Sequence, residues 1–291
     1  MTHRLLLDTS SLLYRAFFAL PRSMTDPQGR PVNAVRGVLD MHARLLIDHR
    51  PEDALHVLDA DWRPAERVAA YAGYKADRPE EPDALPWQFE LLLDVLGACG
   101  IDCVESPGWE ADDAIAALCA EATAGDRIDI VTGDRDLLQL VRDESEDAAA
   151  VRVLFTVKGV SQLGVFDEAA VLDKYGVPAS RYADFAMLRG DSSDGLPGVP
   201  GVGERTAARL VQAYPSLEAL LAADDSGSSA LVGRLRGSEA YLKAMLDIVP
   251  LRGDVPVRRR HGRRDDARLD ELAQAHALEG PVNRLKAALD A

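Results

Sequence analysis

At 291 residues the chain is long enough for one large domain with a smaller appendage, and for a sizeable buried core. Hydrophobic residues at 47% and charged residues at 28% are the mix of a soluble globular protein; the seven residues before Asp8 are too few for a signal peptide, and no apolar run is long enough to cross a bilayer. The net charge of −15 argues at face value against a nucleic-acid partner, while Cys99, Cys103 and Cys119, odd in number and spaced like no zinc motif, fit a reduced, cytoplasmic setting best.

Residues 4–8, Arg4-Leu5-Leu6-Leu7-Asp8, read as a short buried strand ending in an acid, followed by a polar turn and a helix through Tyr14 and Phe18. A loop with Pro27, Gly29 and Pro31 leads to an amphipathic helix over about 32–48. Residues 54–59 repeat the first pattern, an apolar strand ending in Asp59. Strands alternating with helices predict a parallel sheet with right-handed crossovers, whose ligands bind beyond the carboxyl ends of the strands. Residues 61–86 are rich in Arg, Tyr, Pro and Glu, with a short helical piece near 65–71; a connection this long is functional or mobile. A helix over 87–97 and a strand over 101–104 follow.

Trp109-Glu110-Ala111-Asp112-Asp113 then opens a helix reaching about residue 122. Acids in a first turn complement the helix dipole, so by itself this is an ordinary helix start. Asp8 and Asp59 already stand at strand ends, however, and the next strand, 128–131, ends in Thr132-Gly133-Asp134-Arg135-Asp136 before a helix from Leu137. A further strand covers 151–155. From about residue 167 the chain reads as helical, over 168–175 and 179–189. Asp191 and Asp194 precede a glycine-rich turn, Gly198-Val199-Pro200-Gly201-Val202-Gly203, with a helix over 204–214 behind it. Glycines there allow close approach of a partner, and helix-start amides bind anions, which with Arg205 and Arg209 behind them suits a DNA backbone. Helices over 217–222 and 241–248 follow, and a strand-like 249–251 is expected to return to the first domain.

Nine carboxylates thus fall at element ends, and they account for more than half of the charge excess. The distribution of charge therefore says more than its sum. Basic residues gather at Arg63, Arg67, Lys75 and Arg78, at Arg205 and Arg209, and in the run 258–264, which reads equally as a solvated surface turn. Clustered oxygen ligands with almost no histidine or cysteine select hard cations such as Mg²⁺ or Mn²⁺. Two such ions suit in-line attack on a phosphodiester. Asp134 and Asp136 could each reach a different ion, Glu110 and Asp113 share a helical face, and Lys75 and Arg78 would complement charge on the scissile phosphate. No nucleophilic Ser or Cys has a paired base.

Five pieces, 5–20 (LLLDTSSLLYRAFFAL), 57–78 (VLDADWRPAERVAAYAGYKADR), 107–116 (PGWEADDAIA), 132–140 (TGDRDLLQL) and 190–207 (GDSSDGLPGVPGVGERTA), resemble in content and order the 5′ nuclease family. That family comprises flap endonucleases and the N-terminal 5′→3′ exonuclease domain of bacterial DNA polymerase I. The resemblance implies an α/β fold with a mostly parallel central sheet flanked by helices, of the PIN-like 5′ nuclease type. A catalytic domain over 1–166 would carry a helical arch at about 61–86 containing Tyr74, Lys75 and Arg78, all catalytic. A helical region over 167–291 would carry a helix–three-turn–helix at about 186–214, its end packing back on the first domain. The resemblance implies two or three Mg²⁺ or Mn²⁺ ions held by Asp8, Asp59, Glu110, Asp112, Asp113, Asp134, Asp136, Asp191 and Asp194. It implies DNA contacts from Gly198, Gly201, Val202, Gly203, Arg205, Thr206, Arg209 and Arg15, with K⁺ at the glycine turn. Gly195 stands where many members carry Asn, Gly133 where many carry Ala, and Trp109 where Tyr or Phe is usual.

The expectation is a free-standing, monomeric, cytoplasmic enzyme without a membrane segment. It would cut 5′ flaps and degrade 5′ ends of nicked or gapped duplex DNA or RNA primer–DNA hybrids, leaving 5′-phosphates in replication and repair, alongside a DNA polymerase and ligase. A non-catalytic DNA-junction binder on the same fold is the alternative; it would have lost a metal acid, and none is lost. An aspartyl phosphatase would want a second acid where Ser10 stands, and a ribonuclease on this scaffold would lack the glycine turn.

Overall fold

The computed structural model describes residues 2–223 and 230–291. From β1 (His3–Asp8) the chain passes through α1 (Thr9–Ala19) and α2 (Asn33–His49) to β2 (Asp53–Leu58). It then runs through α3 (Ala65–Ala70) and α4 (Leu85–Cys99) to β3 (Cys103–Glu105), and through α5 (Ala111–Glu121) to β4 (Arg127–Thr132). A 3₁₀ turn at Asp136–Leu140 precedes β5 (Ala150–Thr156), which folds back onto β6 (Leu163–Phe166). Six helices follow among the described residues: α6 (Glu168–Tyr175), α7 (Tyr182–Arg189), α8 (Glu204–Ala213), α9 (Leu217–Ala222), α10 (Ala230–Gly237) and α11 (Glu239–Met245). The last elements are β7 (Arg258–Arg260), α12 (Asp266–Ala275) and α13 (Glu279–Leu289).

The strands form one seven-stranded sheet in the order β6-β5-β4-β1-β2-β3-β7, with the five inner strands parallel and both edges antiparallel. The chain leaves β1 towards β2 and β3 on one side, then crosses to set β4 on the other. The β1–β4 boundary is therefore a topological switch point, and a crevice opens where the strands end. Strand alternation divides the core in two. Leu5 and Leu7 of β1 belong to one cluster with α1, α2, α4, α12 and α13, whereas Leu6 belongs to another with α5 and residues of α6 to α11. The helical half thus shares a core with the sheet, and the end of the described chain covers the opposite face.

Local readings needed correction at three places. The helix expected from Leu137 is one 3₁₀ turn, and the one over 179–189 breaks into a 3₁₀ turn at Ala179–Arg181 and then α7. The returning strand forms at Arg258–Arg260, not at 249–251, where Pro250 has no N–H to donate to a ladder. Its arginines are held at the sheet edge by acids on and before β3: Arg258 pairs with Glu105 and Arg259 with Asp102 at 2.5 Å. Within 61–86 the short helix expected near 65–71 forms as α3, followed by a succession of turns over 72–77 and then the start of α4. Among the described residues no helix is long and apolar enough to cross a membrane. All three cysteines are buried free thiols.

Candidate active site

The acids stand where strands hand over to helices, each held by the local turn. Asp8 ends β1 and caps α1, accepting the Ser11 N–H at 3.1 Å and the Thr132 hydroxyl at 2.6 Å. Asp59, just beyond β2, takes the Ala111 N–H at 2.8 Å and the Ser10 hydroxyl at 2.5 Å, tying three elements together. Asp134 accepts the Asp136 N–H at 2.9 Å, and its own N–H donates to Thr132 Oγ1 at 2.9 Å. Asp191 accepts the Ser193 N–H at 2.9 Å within a turn closed by its own backbone pairing with Leu196. The chain's local geometry therefore fixes where each carboxylate can be.

Seven of them lie close enough for each to feel the charge of others in the set. Burial, with the repulsion of Asp59 and Asp134, raises the Asp8 carboxyl to about 7 against the bonds from Thr132 and Ser11. Burial and then Asp134, Asp8 and Asp59 push Asp112 well up. Burial also raises Asp134, where Asp194 and Asp191 add repulsion, and raises Asp136, which feels Asp134, Asp194 and Asp191. Asp136 Oδ1 is buried with no hydrogen-bond partner. An all-oxygen donor set with repulsion to relieve and a buried oxygen to satisfy fits hard divalent cations. Among the described residues no three acidic or imidazole side chains close into a ready-made cation cage. Four cationic side chains hold part of the set instead.

Two expected ligands differ from the other seven. Glu110 is the N-cap of α5, one position before the helix proper. Arg67, itself buried, forks onto both oxygens of Asp113 at 2.8 and 2.7 Å, reaches Glu110, and donates Nε–H to the Ile248 carbonyl at 3.0 Å. Asp113 also accepts the Arg252 N–H at 3.0 Å, so both its oxygens are engaged within the protein. Glu110 further receives the Tyr74 hydroxyl at 2.5 Å and the Lys75 ammonium.

Segment 71–78 lies against the acidic turn. Lys75, buried and with φ of 50°, donates its N–H to the Asp194 carbonyl at 2.9 Å. Arg78 donates to the Asp194 carboxylate at 2.8 Å and to the Ser193 carbonyl at 3.3 Å. A Cβ on Gly195, whose φ is +70°, would stand 2.5 Å from the Gly73 carbonyl oxygen. Any side chain there, Asn included, would push the two segments apart.

The glycine turn links α7 to α8. Gly198 is buried, its φ is +68°, and a Cβ would lie 2.4 Å from the Arg189 carbonyl oxygen. Its N–H donates to Tyr241 Oη at 3.0 Å, so Gly198 shapes the turn from inside and does not present its amide. Val202 is likewise buried. Gly203 starts α8 without a side-chain cap, leaving first-turn amides for an anion, with Gly201, Arg205 and Arg209 exposed around them and Thr206 half-buried. Arg15 is elsewhere: it donates to the Val157 carbonyl at 3.5 Å and lies beside Gly133 at the acid end. Arg67 and Arg189 are the residues that motif reading left out of the site. Arg67 carried a signal, its place in the basic group with Arg63, Lys75 and Arg78, whereas Arg189 reads as an unremarkable end of a helix.

An open α/β sheet with acids packed at its switch point and a basic-rimmed helix–turn–helix beside them is the architecture of a phosphodiester-cleaving enzyme. The family pattern described as 5′-3′ exonuclease, N-terminal resolvase-like domain, matches residues 3–176, and the 5′-3′ exonuclease, C-terminal SAM fold, matches 177–272. A 5′-3′ exonuclease of Streptomyces coelicolor is 46% identical, the alignment covering 99% of this chain and all of that protein. A 5′-3′ exonuclease of Mycobacterium tuberculosis is 41% identical over 98% of this chain and 97% of that one. In fold the chain is similar to the bacteriophage T5 D15 flap endonuclease, solved as a pseudo-enzyme-product complex with DNA and metal ions. The TM-score is 0.65 with 16% identity, over 99% of this chain and 98% of that chain. The chain belongs to the 5′-3′ exonuclease family and is a nuclease, a phosphodiester hydrolase.

Proposed function

We propose that the chain is a structure-specific, divalent-metal-dependent 5′ nuclease of DNA. It would release 5′ flaps and shorten 5′ ends at nicks and gaps, RNA primer–DNA hybrids included, leaving 5′-phosphates for a polymerase and ligase to act on. The observation that carries this reading is the gathering of carboxylates around the β1–β4 switch point, with the Asp191–Asp194 turn close enough to repel Asp134 and Asp136 and one buried Asp136 oxygen unsatisfied. Asp8, Asp59, Asp112, Asp134, Asp136, Asp191 and Asp194, with Glu110 at their edge, would hold two or three Mg²⁺ or Mn²⁺ ions. Bound there, such ions supply Lewis-acid charge and make attacking water acidic.

The chain's own groups do the rest. Lys75 and Arg78 rest on Glu110 and Asp194 and would turn to phosphate oxygens as charge develops. Tyr74, hydrogen-bonded to Glu110, positions that carboxylate, and Arg67 fixes Asp113 and the start of α5. The open amides of α8 with Arg205 and Arg209 would grip the duplex backbone away from the chemistry, with K⁺ at the turn neutralising one more phosphate. The protein would work as a monomer.

The test is cleavage of a 5′-flap substrate with Mn²⁺, beside a blunt duplex and a free single strand. The flap should be cut at its base and the single strand spared. Asp134→Ala and Asp191→Ala should each cut at least about 10²-fold more slowly while still binding the flap in chelator. Equal cleavage of all three substrates, or near wild-type rates in both variants, would refute the reading.

A further inference from the structure

We infer that Arg189, with Arg135 beside it, is a phosphate-binding position on the path between the glycine turn and the acids. It holds the backbone next to the bond that is cut. The inference deepens the proposed reading and rests on it. A cavity of about 560 Å³ lies between the two halves of the site, lined by Arg135, Arg189, Asp191, Ser192, Pro197 and Glu204 among others. Arg189 ends α7, one residue before the turn that carries Asp191, and its guanidinium lies over the Phe185 ring, 5.2 Å from the centroid, which fixes its plane. Nε donates to the Gly190 carbonyl at 3.0 Å and Nη2 reaches Asp191 at 3.4 Å.

Nη1 is different: it is buried and makes no hydrogen bond, and the Tyr182 hydroxyl, which feels the Arg189 charge, is likewise buried and unpartnered. The Glu204 carboxylate stands 3.9 Å from it, too far for a hydrogen bond, on a side chain 65% exposed and able to swing away. A buried donor on a side chain that lines a polar cavity, its nearest carboxylate out of reach, is an incomplete contact. A phosphodiester oxygen that displaced Glu204 would complete it in the geometry guanidinium groups favour for phosphate. The position suits a strand whose next phosphate lies over Asp191. Exposed Arg135, following Asp134, extends the same positive wall. The cations opposite, on segment 71–78, face Glu110 and Asp194 and do not reach this cavity. Arg189 is thus a positioning residue, acting on the strand and not on the reacting atoms.

The experiment is a methylphosphonate scan. A 5′-flap duplex carries one neutral linkage at a time within three phosphates of the junction, and affinity is measured in chelator at fixed ionic strength. For the wild type, one linkage should cost about tenfold in affinity. Arg189→Gln should bind the unmodified flap about tenfold more weakly yet lose less than twofold at that same linkage, and Arg189→Lys should recover part of the difference. Glu204→Gln should bind more tightly than the wild type. Melting temperatures near that of the wild type establish that the variants are folded, with Arg189→Lys as the milder change. If Arg189→Gln senses every linkage as the wild type does, the guanidinium touches no phosphate and the inference falls. It falls equally if the only effect is on melting with Mn²⁺, since Arg189 would then be a counter-ion for Asp191. A wild type that cuts flaps while showing no sensitive linkage overturns this inference alone; one that neither binds nor cuts them overturns the functional reading too.

Discussion

Single residues decide whether the acids behave as a site or as a liability. Arg67 is the clearest case, because two buried carboxylates depend on it. Arg67→Met should destabilise the fold by about 3–5 kcal/mol in urea unfolding, the cost of leaving Asp113 buried and unpaired; a loss under 1 kcal/mol would mean that water replaces the guanidinium. Grip and chemistry should also separate by residue. Arg205, exposed behind the glycine turn, should on replacement by Ala weaken duplex binding and lower its salt slope by about one unit. Lys75→Ala should slow single-turnover cleavage by about 10²-fold with less effect on affinity. The same balance of defects in both variants would remove the division between anchor and active site. The nine acids and Lys75 stand out in the sequence through side-chain type and spacing. The roles of Arg67 and Arg189 do not, because an arginine's role depends on which carboxylates the fold brings to it.

Elements carry a second, acid-sensitive linkage, which reaches Thr9 beside Asp8. His42 of α2 and His56 of β2 are wholly buried, Nδ1 of one facing Nε2 of the other at 3.1 Å, and His56 continues to Thr9 Oγ1 at 3.0 Å. Burial lowers His42 to about 4 and holds His56 well below the usual imidazole range, with His42 adding repulsion. Both pKa values are depressed relative to the unfolded chain, where imidazoles titrate near 6.5. Their contribution is therefore intact above about pH 6.5 and lost as pH falls towards 4, at about 1.4 kcal/mol per pH unit for each proton taken up on unfolding. The unfolding free energy should fall more steeply from pH 8 to pH 4 in the wild type than in His42→Leu/His56→Leu. Parallel curves would show that these histidines do not titrate on unfolding. Short elements were the hardest to anticipate. β6 and β7 exist because a neighbouring edge receives them, and three arginines have no strand propensity of their own until Glu105 and Asp102 stand opposite.

At the scale of the molecule, folding gathers like charges whose repulsion is absent in the unfolded chain. Cations that bind only the folded state stabilise it by RT ln(1 + [L]/Kd), about 2.7 kcal/mol at a hundredfold excess over Kd. Mn²⁺ should raise the melting temperature by roughly 5–10 °C, chelator should abolish the rise, and Asp134→Asn should diminish it. Monovalent salt at matched ionic strength is the control, because screening alone relieves repulsion; a rise no larger than that control would show that the acids form no metal site. The alternation of apolar strands with helices, the acids at strand ends and the glycine turn were all readable from the chain, since each is a local pattern with a local physical cause. That alternation also determined the parallel sheet and the end of it where chemistry belongs. What only the tertiary structure decided is which charges meet. It set Arg67 between Glu110 and Asp113, turned Gly198 inward to Tyr241, moved Arg15 to the acid end and left Arg189 lining a cavity with one donor unmet. Pairings of this kind join residues tens to hundreds of positions apart, and no local pattern encodes them, because burial and partner distance arise only when the layers pack.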